Sequence, residues 1–441
     1  MRALFQLYLT VFTLIVFSIP CGAYVPQHGE EKPTLKLRWK SETIPVSISD
    51  SLIKSNPNIR ADSDVTGAIR RSLESWEKVS NIKFEELSSD IQTVSAAGKS
   101  GDGVSLITIA QEPENLLLFS KDSEEVSALT RVFFNKKGEI TEADIVLNPY
   151  QQFSTDGTIG TFDLESTLTH EIGHLLGLEH SSILGATMHE SSGRNGVFNL
   201  SSYDSRTLAE TDISAVRSIY GVKASDGNCC GAVNGKLSLT DGKPAKNYQL
   251  WAEDFAAGKV VGEYITNSDG SFHFEALPKG KYRIYGQNQS TGKSFRMVEE
   301  IGVAEVSNGK SVNITKKLNQ SPINFEVQYI GFNGQLSENS VFLNSGKSYT
   351  LFVGGKNINI KDYKIGFNSP NITVTPNTLF EHDFGENISV LSFEVKINPR
   401  IALGEYNVYV ESARGQKSYI LGGLTIEEFE NPWNNRSSLN N

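Results

Sequence analysis

The stretch Thr169 to His180, reading T-H-E-I-G-H-L-L-G-L-E-H, constrains this chain more than any other. It gathers three of the seven histidines within eleven residues. On a helix, His170 and His174 stand one turn apart and point the same way. Two neutral imidazoles so placed can grip one metal ion, and zinc is the usual occupant. Glu171, next to the first histidine, is placed to act on a metal-bound water and not on the metal. His180 cannot join them if the helix runs on, because six more residues carry it about 9 Å along the axis and roughly 120° off the His174 face. The helix must break, and Gly177 can break it, since glycine tolerates the left-handed conformation that ends helices. Three histidines then leave one tetrahedral position open, which is the arrangement of a catalytic site and not of a sealed structural one.

This stretch resembles the extended zinc motif of the metzincin metallopeptidases. Their second hallmark is a methionine turn, and Ala186-Thr187-Met188 resembles it. Ser181, after the third histidine, resembles the matrixins; astacins typically carry Glu there and the adamalysin group Asp. Asp212 to Gly221 is similar to the matrixin closing helix. The resemblance implies an α+β zincin domain with one catalytic zinc on His170, His174 and His180. It also implies Glu171 as general base, Met188 as the floor of the site, and hydrolysis of peptide bonds in a protein or peptide substrate. An extended substrate is expected to pair with an edge strand, Ser127 to Phe134. Glu190 stands where astacins offer a tyrosine ligand, so none is expected. His189 and Glu190 read as rim or structural residues, because three ligands are already in hand.

The chain also departs from the family pattern. Matrixins of the vertebrate type hold a second, structural zinc on histidines upstream of the catalytic helix, yet no histidine lies between His28 and His170. That site is expected to be missing. Asp144 reads as a strand-end carboxylate, and calcium is left open. The lead-in before the domain leaves no room for a pro-segment, so latency by a cysteine thiolate on the zinc is not expected.

A length of 441 residues suggests about three domains. The net charge of −10 argues against a nucleic-acid groove or an anionic membrane surface as partner. Arg2, the apolar run Ala3 to Pro20 and the small residues Cys21-Gly22-Ala23 read as a secretory signal peptide, residues 1–23. A membrane anchor and a lipidated Cys21 are the alternatives; Pro20 disfavours the second. The mature chain, with no later spanning segment, is expected outside the cell or in the cell envelope. Residues 24–33 form a lead-in. Residues 34–222 read as the zinc domain, with strands near Leu35–Trp39, Ile44–Ile48, Ile82–Leu87, Val104–Ile109, Thr130–Phe134 and Ile140–Leu147. An apolar stripe over Asp64–Val79 predicts a helix, and Asp163 is the predicted N-cap of the histidine helix.

Residues 223–228 read as a linker and 428–441 as a disordered tail. Between them the chain alternates in short strands. Residues 229–318 carry Asp269-Gly270-Ser271-Phe272-His273-Phe274 and Leu277-Pro278-Lys279-Gly280-Lys281-Tyr282. These resemble the signature of carboxypeptidase regulatory-like and collagen-adhesin B-type domains, which are transthyretin-like sandwiches. Residues 321–427, through Gly404 to Val410 and Gly422 to Ile426, are similar to the end of an IPT-type immunoglobulin-like domain. The expected fold is therefore multidomain, an α+β zincin followed by two all-β sandwiches. Cys229 and Cys230, adjacent at the junction, are expected to be either free or joined under strain. The competing function is adhesion or carbohydrate binding, with a surface ligand held by the sandwiches.

Overall fold

The stripe Val65, Ala68, Ile69, Leu73, Trp76 forms one face of helix α2 (Val65–Val79), whose N-cap Asp64 accepts from the Gly67 amide. The computed structural model that shows this describes residues 28–29, 32–96, 101–119, 126–191, 193–196, 206–227, 229–288, 295, 298–319, 322–385 and 388–428. The expected signal segment 1–23 with Cys21, most of the lead-in, residues 197–205 and nearly all of the expected tail lie outside the described residues. Helix α1 (Asp50–Ile53) precedes α2; helix α3 (Pro113–Leu117), helix α4 (Leu164–Leu175) and helix α5 (Glu210–Tyr220) follow. The two shortest helices were not expected, being too brief to show a period.

The first sheet runs Arg38–Trp39, Glu139–Leu147, Leu106–Thr108, Thr43–Ser49, Lys83–Ser89, all parallel neighbours. Ala128–Phe134 is added antiparallel along Glu139–Leu147. Helices α2 and α4 bury against this sheet around Ile44, Val46, Trp76, Ile145, Leu168 and Ile172. The Trp76 indole donates to the Thr169 carbonyl, tying α2 to α4. At the far end of α4, Trp39 Nε1 donates to Leu175 O at 2.8 Å and Tyr220 Oη to Leu176 O at 2.8 Å. Those carbonyls have no partner within the helix, so two distant side chains cap it.

Downstream the chain is β throughout, as its alternation requires. Strands Ser271–Leu277, Gly231–Ser238 and Ser311–Lys317 form one sheet. It faces a second made of Val260–Ile265, Tyr248–Asp254, Gly280–Asn288 and Val298–Val306. Phe272 and Phe274 share the buried face and His273 is exposed opposite them, as period two dictates. A further pair of sheets, centred on Ser389–Ile397 and Lys417–Ile426, closes over Phe325, Leu351, Phe393 and Val408. The fold is thus an α+β domain followed by two β-sandwiches. Among the described residues no helix is long and apolar enough to cross a membrane.

Of the two alternatives for the junction cysteines, the joined one is found: Cys229 and Cys230 form a disulfide, with Cys230 at φ +89°. Asp144 sits within its strand, 2 % exposed, and not at a strand end. His382 is half-buried, with Nε2 2.6 Å from Ser392 Oγ and its ring against Phe352.

The three units also pack together. Ile183, Ala186 and Ala209 of the first share a cluster with Trp251, Val260 and Tyr285 of the second and Tyr419 and Leu421 of the third.

Candidate metal centre

Asp163 caps α4 by accepting from the Ser166 amide at 2.9 Å, and Arg206 grips the same carboxylate through two nitrogens at 3.0 and 2.6 Å. The helix ends at Leu175, and Gly177 follows at φ +89°. A Cβ there would lie 2.6 Å from the Leu37 carbonyl, so both backbone conformation and space demand glycine. The chain bends back and His180 meets the two helical rings. His174 Nε2 lies 3.1 Å from His170 Nε2 and 3.1 Å from His180 Nε2. A tetrahedron with metal–nitrogen bonds of about 2.0–2.1 Å has an edge of about 3.3 Å, so the three nitrogens fit one zinc. Among the described residues this is the only group of three or more metal-ligating side chains so placed.

The outer nitrogens are committed elsewhere. His170 Nδ1 donates to Thr187 O and His174 Nδ1 to Leu178 O, each at 2.7 Å. Each bond leaves the Nε2 lone pair aimed at the centre. Burial, then the neighbouring imidazoles, hold His174 well below the usual histidine range. The same causes bring His180 down to about 3, so both rings stay neutral and able to bind metal.

Glu171 is 4 % exposed beside His170, and burial pushes its carboxyl up. Thr130, on the edge strand Ala128–Phe134, donates its hydroxyl to Glu171 Oε2. Met188 lies beneath the helix, 1 % exposed. His189 Nδ1 is 3.2 Å from Ser181 O and the ring stands outside the three-ring group, while Glu190 is exposed.

Three residues went unrecognised in the sequence. A Cβ on Gly173 would sit 2.2 Å from Met188 Sδ, so the glycine inside the motif makes room for the methionine. Asp212, 1 % exposed, accepts from the Thr187 amide at 2.9 Å and the Ala209 amide at 3.2 Å, holding the turn from below. Glu263 of the first sandwich accepts from Ser181 Oγ at 2.8 Å, from Ser182 N at 3.3 Å and from Ser182 Oγ. Gly173 could have been found from its place inside the motif. The two carboxylates announce nothing locally.

The family model described as matrixin matches residues 38–221. "Metalloendoproteinase 1" of Glycine max is 29 % identical over 192 residues, 42 % of this chain and 53 % of that protein. "Hatching enzyme" of Paracentrotus lividus is 26 % identical over 198 residues, 44 % of this chain and 28 % of that protein. The chain therefore spans about half, or less, of the length of these relatives. Among solved structures, BcpA, the major pilin subunit of Bacillus cereus, aligns at 14 % identity and a TM-score of 0.17, covering 43 % of this chain and 66 % of that one. That likeness is too slight to carry an argument. The motif and the family match fall on the same span, so the similarity to the matrixins rests on residues 38–221.

Proposed function

We propose that the chain is a secreted zinc-dependent endopeptidase that cleaves peptide bonds in extracellular proteins. The observation that carries this reading is the meeting of three imidazoles beside one buried carboxylate, next to a sheet edge. His170, His174 and His180 would hold the metal. When bound, zinc supplies Lewis acidity towards a carbonyl and towards water.

The chain's own residues do the rest. An extended peptide adds to Ala128–Phe134, which among the described residues pairs only with Glu139–Leu147. Glu171 takes a proton from the attacking water and passes it to the leaving amine as the C–N bond breaks. Burial raises its pKa, which strengthens the carboxylate as the group that takes the proton. Thr130 fixes the carboxylate's rotamer, and Met188 supports the rings from below.

The test is Glu171→Ala in the full chain. Cleavage of an unstructured protein is expected to fall at least about a hundredfold, while bound zinc stays at one per chain. Cleavage that survives the substitution removes Glu171 from its role.

Calcium, a second metal reading, has one fitting place. Glu142 Oε1 and Asp144 Oδ2 are buried and accept no hydrogen bond, and burial pushes Asp144 up to about 7. Two inward carboxylates suit a hard cation. A melting temperature unmoved by calcium would refute that site.

A further inference from the structure

Beside Glu171 lies a pocket of about 490 Å³, its mouth included, and its walls come from two domains. Thr167, Glu171 and Thr187 line it from the matrixin domain; Asn339, Ser340 and Phe342 line it from the C-terminal sandwich. The two sides are seated closely. Leu184 N donates to Leu421 O at 2.9 Å, and a Cβ on Gly185 would lie 2.1 Å from Thr425 Oγ1 and 3.3 Å from Ser340 Oγ. Ser340 Oγ in turn lies 2.8 Å from Thr425 Oγ1, and Phe342 is 6 % exposed. The far wall is therefore fixed against the segment that follows His180.

The lining has a definite chemistry. Hydroxyls are the most frequent polar groups on it, beside the imidazoles of His170 and His189, and Asn339 Oδ1 is buried without a hydrogen bond. A buried acceptor left unpaired is costly, and a donor brought by a ligand relieves the cost. Among the described residues Glu171 is the only carboxylate on the pocket wall. A cationic side chain would have to pair with the group that moves the proton, and an acidic one would be repelled by it. An apolar side chain leaves Asn339 unsatisfied. A carboxamide has donors for Asn339 and an acceptor for the hydroxyls.

Building on the peptidase reading, we propose that this pocket receives the side chain of a substrate residue flanking the scissile bond. Asn339 of the C-terminal sandwich selects a carboxamide there, glutamine or asparagine. The sandwich is then a wall of the substrate cleft and not a tether. Discrimination of this kind arises when a site built to pair a polar group meets an analogue lacking it.

The experiment uses the full zinc-loaded chain and a peptide panel in which each position flanking the cleaved bond carries Gln, Leu, Ala, Arg or Glu. Gln is expected to be preferred at one such position. Asn339→Ala is expected to lower the Gln:Leu ratio of kcat/KM about tenfold. Asn339→Asp is expected to move the preference towards Arg, which a merely structural role would not do. Phe342→Ala is expected to admit bulkier residues. Zinc content and melting temperature of each variant check folding. Profiles of Asn339→Ala and Asn339→Asp that match the parent at every position overturn the proposal, with peptidase activity intact.

A second arm measures binding of the Gln and Leu peptides by calorimetry in a Glu171→Ala background. If the parent cleaves nothing yet Asn339 still governs the Gln preference in binding, the pocket stands and the peptidase reading falls. No preference in either arm overturns the pocket.

Discussion

Helix α4 and the segment 181–187 flank the same three histidines, and they are held by different parts of the chain. Helix α4 is secured from within the matrixin domain: Arg206 and Arg71 on its first turn, Trp76 at its middle, Trp39 and Tyr220 on its last carbonyls. The segment after His180 is held at one end by Asp212 within that domain and is gripped along the rest from outside it. Glu263 holds Ser181 and Ser182, and Leu421 O holds Leu184. Ile183 and Ala186 are buried against Trp251, Tyr285, Tyr419 and Leu421. His174 thus depends on contacts inside its own domain, whereas the segment after His180, whose Thr187 carbonyl also receives His170 Nδ1, is shared with β-strands that follow far along the chain. The sandwiches contribute to the metal centre by fixing the segment that follows His180.

The turn between the two halves is where the comparison breaks most sharply. Gly177→Val forces a β-branched residue into φ +89° with its Cβ 2.6 Å from Leu37 O. A loss of about 3 kcal/mol or more in urea unfolding is expected. Bound zinc is expected to fall below one per chain, because His180 no longer reaches the other two rings. Full zinc loading in a stable Gly177→Val protein would show that the bend does not set the third ligand.

Next in size is a contrast between two substitutions. Glu263→Ala strands the hydroxyls of Ser181 and Ser182 and the amide of Gln249, all of which donate to this buried carboxylate. It is expected to cost about 2–4 kcal/mol and to weaken zinc binding about tenfold or more, as loss of an outer-shell partner does. Arg206→Ala, on the helix side, loosens the α4 cap at Asp163 for about 1 kcal/mol after solvent screening. It is expected to leave zinc affinity within about twofold, since no ligand moves. Competition against a zinc chelator reads both, and equal effects would erase the distinction between the halves.

The domain contact below the methionine turn adds a pH dependence. Burial, then Asp212, and further off Glu427, push Glu405 up to about 8, with Lys259 opposing. Asp212 is itself pushed up to about 7 by burial, against the amides it accepts from. Carboxyls with raised folded pKa values bind protons in the folded state that the unfolded chain releases near pH 4. Stability is therefore fullest below about pH 4 for these two groups and falls as pH rises through about 7 to 8, then levels. The slope is at most about 1.4 kcal/mol per pH unit for each group. Glu405→Gln is expected to flatten its share, read from urea midpoints at pH 5, 6.5 and 8. An unchanged slope would clear Glu405 of that role.

What could be read from the residues alone follows the same division. Helix α2, the cap at Asp163, the bend at Gly177 and the convergence of the histidines are written in local periods and spacings, because short-range geometry decides them. The alternating strands and the shared face of Phe272 and Phe274 are local in the same sense. Asp212 and Glu263 are not, since a carboxylate that accepts backbone or hydroxyl donors from another element has no signature in its own neighbourhood. Asn339 and Phe342 are further examples: they reach the cleft only because the C-terminal sandwich docks beside α4. Asp144 looked like a strand end because a charge inside a strand is rare, yet it is buried within one.

The smallest expected effect separates contact from burial. Lys36 Nζ and Glu275 Oε2 form an ion pair 3.1 Å long between the first described strands and the first sandwich, its partners 239 residues apart in sequence. Both side chains are nearly half exposed, at 45 % and 43 %. Water screens the pair, and two long side chains lose rotamer freedom to make it. Glu275→Ala is therefore expected to change stability by no more than about 0.5 kcal/mol, to leave zinc affinity within about twofold, and to show little further change in high salt. Glu263 and Glu275 lie on consecutive strands in the two facing sheets of one sandwich, and both reach back to the α+β domain. If removing the exposed one costs as much as removing the buried one, the coupling of the sandwiches to the metal centre comes from long-range attachment alone, and the desolvated contacts at Ser181 and Ser182 lose their special place.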